Sequence, residues 1–106
     1  MNDWTIAGHT CSAHAQKRMQ QRGIKKETVE AILLHGDKRQ HVGGSTSSIF
    51  MSKRRVGQLS KSGKIKSSLI ERAANIIVLT AEEMIVTAMP RKSGRARRYQ
   101  KTALQN

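Results

Sequence analysis

Aromatic side chains are almost missing from this sequence. Trp4, Phe50 and Tyr99 are the whole complement of a 106-residue chain. A surface that reads single-stranded nucleic acid by stacking needs several aromatics together, which argues against an RRM-like or OB-like reader. Cysteine occurs once, at Cys11, so no disulfide can form within the chain and a reducing compartment is expected. No apolar run approaches the roughly 20 residues that span a bilayer. The longest, Ile76 to Leu79, is strand-sized. The opening Met-Asn-Asp-Trp has neither the basic start nor the apolar stretch of a signal peptide. A soluble cytoplasmic protein with no membrane partner is the expectation. Acidic residues are also scarce: 7 Asp+Glu stand against 20 Lys+Arg, a net charge of +13. That excludes a scaffold needing a negative surface and makes a polyanion the default partner.

What is present suffices for one small core, since hydrophobic residues make up 37%. Residues 1–11 show no period and are expected as a flexible arm. Ser12 is placed to cap a helix over Ala13 to Gln21, and Gly23 suits the left-handed position that ends one. Ile24, Val29, Ile32 and Leu33 give the apolar stripe of a second helix over Lys26 to His35, stopped by Gly36. The two are expected to form a helical hairpin. Strands are expected at Gln40 to Val42 and Ser48 to Met51 around a Gly43 to Ser47 turn. A helix capped by Ser52 over Ser52 to Leu59 and another over Lys66 to Ala74 come next. A hairpin of Asn75 to Thr80 with Met84 to Met89 closes the domain, ended by Pro90. Residues 12–90 thus read as a single α+β domain, an N-terminal helical hairpin packed on an antiparallel sheet of about four strands. Residues 91–106 read as a basic C-terminal tail, partly disordered when free. No internal repeat is present.

The first helix carries His14, Arg18 and Arg22 at four-residue spacing, which places all three on one side. Ala15 and Met19 lie on a neighbouring stripe that can bury. An imidazole exchanges protons near neutral pH, and a guanidinium can clamp a phosphate and stabilise charge developing on it. RNA cleavage through attack by the 2′-hydroxyl needs those two functions. An exposed basic helix with one surface histidine explains the same spacing. Lys53, Arg54 and Arg55 follow a strand and can grip phosphate, or form a solvated helix start. Arg91, Arg95, Arg97 and Arg98 make a basic tail suited to nucleic acid without sequence preference. Strand alternation puts Ile85, Thr87 and Met89 on one face, so Thr87 either donates to a phosphate or is an ordinary β-branched strand residue. His9, Cys11 and His14, with His35 or His41, match no trusted zinc spacing, so no metal and no cofactor is expected. Cys11 as a nucleophile has only its basic surroundings in its favour. Gly43-Gly44-Ser45 lacks the Lys-Ser/Thr of a phosphate-cradling loop and reads as a turn.

The segment His14-Ala15-Gln16-Lys17-Arg18-Met19-Gln20-Gln21-Arg22-Gly23-Ile24 resembles the opening motif of domain-of-unknown-function family 4258, which runs His-Ala, Arg, then Arg-Gly-Ile. Leu33-Leu34-His35-Gly36 is similar to the end of that family's second helix. Val78 with Ile85-Val86-Thr87 resembles its final strand pair. The likeness covers most of residues 12–90. Lys25 and Lys26 partly replace the acidic residues of the family pattern. The resemblance implies a fold like the RelE, barnase and colicin ribonuclease toxins, with helices on a four-stranded antiparallel sheet and cleavage of RNA without metal. It implies that His14, Arg18 and Arg22 on the first helix and Thr87 on the last strand carry the chemistry. The expected function is a toxin-like ribonuclease acting on RNA, with messenger RNA during translation as its target and an acidic antitoxin-like protein as a further partner. The alternative is a non-catalytic nucleic-acid-binding module of the same charge. A third reading is a structural protein whose charge meets an acidic chain.

Overall fold

A computed structural model of the chain describes residues 4–94, 96 and 100. The element order is β1 (Trp4–Ile6), β2 (His9–Cys11), α1 (Ala13–Gln21), α2 (Lys26–His35), β3 (Lys38–Gly43), β4 (Thr46–Phe50), α3 (Lys53–Ser62), α4 (Ser67–Ala74), β5 (Ile76–Ala81) and β6 (Met84–Pro90). The six strands form one sheet in the order β1-β2-β6-β5-β4-β3. Every neighbouring pair is antiparallel except β2 with β6, which is parallel.

The local signals act as their chemistry dictates. The Ser12 hydroxyl accepts from the Ala15 amide and caps α1, and the Ser52 hydroxyl accepts from the Arg55 amide and caps α3. Gly23 takes φ 67° just past α1, a backbone region that costs a side chain and costs glycine little. Gly36 is required for another reason. A Cβ there would sit 2.6 Å from the Ile32 carbonyl and 2.7 Å from Ile49 Cγ2, so α2 ends pressed against β4. α3 runs to Ser62, past the expected end at Leu59, and Gly63 closes it at φ 69°.

The expected architecture of a helical hairpin on four antiparallel strands is overturned: the described residues are α+β, with four helices, α1 to α4, and a six-stranded mixed sheet. α1 packs chiefly on β6, whereas α2 packs chiefly on α4 and β5, so the two helices settle on different parts of the sheet. The region read as a flexible arm is β-structure over residues 4–11. Ala7 at φ 49° and Gly8 at φ 81° are the two turn residues of a tight β1–β2 hairpin. Residues 1–3 lie outside the described residues.

The main core lies between the helices and one face of the sheet. It joins Ala15 and Met19 of α1, Val29 and Ile32 of α2, and Ile70 and Ala73 of α4 to Ile49, Val78, Ile85 and Ala88. A smaller cluster of Phe50, Ile77, Leu79, Met89 and Ala96 covers part of the opposite face. The strands β5 and β6 therefore bury side chains on both faces, which accounts for the nearly unbroken apolar run of β5. No described helix is long and apolar enough to cross a membrane.

Candidate active site

The position of the first helix follows from a strand that stops early. β2 pairs with β6 only at Thr10 with Met84 and Cys11 with Ile85. Beyond that point the chain turns at Ser12 into α1, which lies along β6 in place of a strand. Ala15 and Met19 face the core; the stripe beside them faces the outer half of β6. Burial of Met19 alone stabilises this seating by about 2 kcal/mol.

A bulge then decides which β6 side chains meet that stripe. Leu79 pairs with Thr87 but Thr80 pairs with Ile85, leaving Val86 as an extra residue on β6. Simple alternation had grouped Ile85, Thr87 and Met89. The bulge breaks that phase: Ile85 goes to the main core with Ala88, and Met89 to the opposite cluster. Thr87 stays on the groove side, because its partner Leu79 belongs to the opposite cluster as well.

The result is a groove of about 260 Å³ lined by His14, Arg18, Arg22, Leu79, Val86, Thr87 and Met89. All four residues named for chemistry on α1 and β6 meet there. His14 is exposed and Arg18 is half-buried. Neither side chain is hydrogen-bonded to another described residue. Arg22 is held differently. Its Nη1 donates to the Thr87 hydroxyl at 2.9 Å and to the Ala88 carbonyl at 2.7 Å. It thereby satisfies a carbonyl on the edge of β6 that β2 does not reach. An adjoining hollow of about 250 Å³ is lined by His14, Lys17, Arg18 and Gln21. No acidic side chain lines either one, so both present uncompensated positive charge to an incoming anion.

The other basic residues go elsewhere. Lys53 and Arg54 are exposed on the first turn of α3, while Arg55 donates from Nε to the His35 carbonyl at 2.9 Å. None of them lines the His14 groove. Arg91, expected as a nucleic-acid contact on a loose tail, is a structural residue. Its Nη1 donates to the Met51 carbonyl at 3.0 Å and the Ala74 carbonyl at 3.1 Å, and its guanidinium lies 4.5 Å from the centre of the Phe50 ring. Burial pulls its pKa below the ordinary arginine value. Arg95, Arg97 and Arg98 lie outside the described residues.

Cys11 is sealed in the core, its thiol 3.9 Å from the Met19 sulfur, so it is closed to attack on a substrate. Among the described residues no three His, Cys, Asp or Glu side chains gather as metal ligands. Sequence reasoning missed the Arg22–Ala88 contact, because that contact depends on where β2 stops.

The family model described as Domain of unknown function (DUF4258) matches residues 11–90. The match covers most of the chain and runs from the end of β2 to Pro90, enclosing the whole groove; the protein belongs to this family. No curated protein and no solved structure matches it.

Proposed function

We propose that the protein is a toxin-like ribonuclease that cleaves RNA through the 2′-hydroxyl, without need of a metal ion. The observation that carries this reading is the meeting of His14, Arg18, Arg22 and Thr87 in one cationic groove. The groove is an open trough suited to a polynucleotide backbone. His14, exposed at its rim, takes the proton of the attacking 2′-hydroxyl. The 2′-oxygen bonds to phosphorus and the bond from phosphorus to the 5′-oxygen breaks. The leaving oxygen takes its proton from water, leaving a 2′,3′-cyclic phosphate and a 5′-hydroxyl end. Arg18 faces the phosphate oxygens as negative charge grows on them. Arg22, already bonded to Thr87 and Ala88, adds fixed charge and holds the groove wall.

The likeness to RelE, barnase and colicin ribonucleases enters here through this chemistry, not through the architecture. On this reading the protein acts in the bacterial cytoplasm on messenger RNA during translation, with an acidic antitoxin-like protein restraining it. Lys53 and Arg54 supply further phosphate contacts outside the groove.

The net charge of +13 supports a second reading, a non-catalytic nucleic-acid-binding module, because charge alone holds a polyanion and needs no histidine. Incubating the purified protein with end-labelled RNA separates the two. Cleavage that disappears in His14→Ala while RNA binding persists supports the enzyme. Wild-type protein that binds RNA and never cuts it leaves only the binding module. Growth arrest on induced expression, lost in His14→Ala, would add the toxin character, and co-purification of an acidic protein the partner.

A further inference from the structure

We infer that Lys17 and Gln21 form a second phosphate subsite beside the His14 groove, so that a ribonucleotide strand crosses α1 from its β6 side to its solvent side. This deepens the ribonuclease reading and rests on it for which phosphate is cut.

Helix geometry sets the order of side chains around α1. Each residue turns the helix by about 100°, so, counted from His14, Lys17 lies about 60° and Gln21 about 20° to one side. Arg18 lies about 40° and Arg22 about 80° to the other side, followed by Ala15 and Met19. Those last two are buried, so the core bounds the face beyond Arg22. From Lys17 to Arg22 the helix offers a cationic face roughly 140° wide. No acidic residue occurs anywhere along α1. The side chains of His14, Lys17, Arg18 and Gln21 are hydrogen-bonded to no other described residue, which leaves all four to meet a ligand.

Two hollows divide this face. The groove of about 260 Å³ takes Arg22 and the β6 wall, the hollow of about 250 Å³ takes Lys17 and Gln21, and His14 and Arg18 line both. His14 and Arg18 are thus a ridge between two compartments, and the compartments differ in chemistry. On the groove side Val86, 40% exposed, stands with Leu79 and Met89 as an apolar surface for a nucleoside. On the solvent side the lining is an imidazole, an ammonium, a guanidinium and an amide, a set of donors that suits a phosphate. Lys17 and Gln21 are one helical turn apart, about 5.4 Å along the axis, so both reach one phosphate group. A strand seated this way lays a nucleoside on Val86, the scissile phosphate over His14 and Arg18, and the neighbouring phosphate at Lys17. Linkages inside a strand gain that last contact, and a linkage at an unphosphorylated end forfeits it. Lys17 and Gln21 bind substrate and touch no reacting atom.

The test is binding of 2′-O-methyl dinucleotides to the full-length protein at constant ionic strength. These probes have no 2′-hydroxyl to attack and stay intact. Three forms are compared: no terminal phosphate, a 5′-phosphate and a 3′-phosphate. A phosphate at one end is expected to tighten binding about fivefold more than a phosphate at the other. The end that shows this gain gives the direction of the strand across α1. The gain should disappear in Lys17→Ala and in Gln21→Glu, and persist in Lys64→Ala, which removes an exposed lysine from the turn after α3. Lys17 and Gln21 are exposed, and alanine and glutamate are good helix formers, so both variants keep the fold. A gain at neither end, equal gains at both ends, or equal losses in Lys17→Ala and Lys64→Ala would reduce the subsite to bulk charge and overturn it. No cleavage is needed: a gain lost in Lys17→Ala, in a protein that never cuts RNA, upholds the subsite and sinks the ribonuclease reading.

Discussion

Arg22 and Thr87, 65 positions apart in the chain, are joined by a 2.9 Å hydrogen bond from the guanidinium to the hydroxyl. The same Nη1 reaches the Ala88 carbonyl at 2.7 Å. This clamp ties the C-terminus of α1 to the edge of β6 where no strand covers it. Arg22→Ala leaves that carbonyl facing the helix unpaired, and the expected loss is about 1.5–3 kcal/mol of folding stability. Arg22→Lys recovers little, since one ammonium does not reproduce the reach of a planar guanidinium. Urea denaturation of the three proteins checks it; a midpoint unchanged in Arg22→Ala would show the clamp to be dispensable.

His14 gives the opposite pattern. It is exposed, on a helix whose stability rests on Ala15 and Met19. His14→Ala is expected to leave the melting temperature and RNA affinity nearly unchanged, because alanine is a good helix former. Cleavage is expected to fall roughly 100-fold or more, the usual contribution of a positioned acid–base group. A gel assay of product against time, beside a binding isotherm, reads both quantities from one preparation.

These two residues show how far the sequence reaches. Four-residue spacing on a short helix was enough to put His14, Arg18 and Arg22 on one side, and helix caps at Ser12 and Ser52 were legible because capping is local chemistry. The strands at residues 4–11 were not. Each is three residues long, too short for a period, and their turn is Ala7-Gly8 instead of the Asn-Gly or Asp-Gly that announces a hairpin. The parallel pairing of β2 with β6 joins residues more than 70 apart and has no local signature. Ile85 departs from simple alternation for a related reason, since the bulge at Val86 is set by the partner strand.

Arg91 should behave as a structural residue. It spans the Met51 carbonyl after β4 and the Ala74 carbonyl ending α4, and it stacks on Phe50. Arg91→Ala strips a charged donor from two carbonyls and is expected to cost about 2–3 kcal/mol. RNA affinity measured well below the melting temperature should change no more than removal of one distant charge requires. A large loss of affinity without a loss of stability would restore Arg91 to the nucleic-acid surface.

Asp37 predicts how the fold responds to acid. Its carboxylate accepts from the Ser52 amide at 2.8 Å and from the Ser52 hydroxyl at 2.6 Å, bracing the residue that caps α3. Partial burial pushes its pKa up, but the hydrogen bonds from Ser52 and the nearby Lys38 charge outweigh that and hold it below the ordinary value of 3.8. The unfolded chain therefore takes up the proton first as pH falls. The stabilisation is fully present above the unfolded value and disappears as pH drops through the lower folded one. Thermal melts from about pH 7 to about pH 3 should show a fall at the acid end that is smaller in Asp37→Asn, which has no carboxylate to protonate. Ser52→Ala should lower stability by about 1 kcal/mol even at neutral pH, because it removes the cap itself. An acid limb of equal size in wild type and Asp37→Asn would assign the acid sensitivity to other carboxylates.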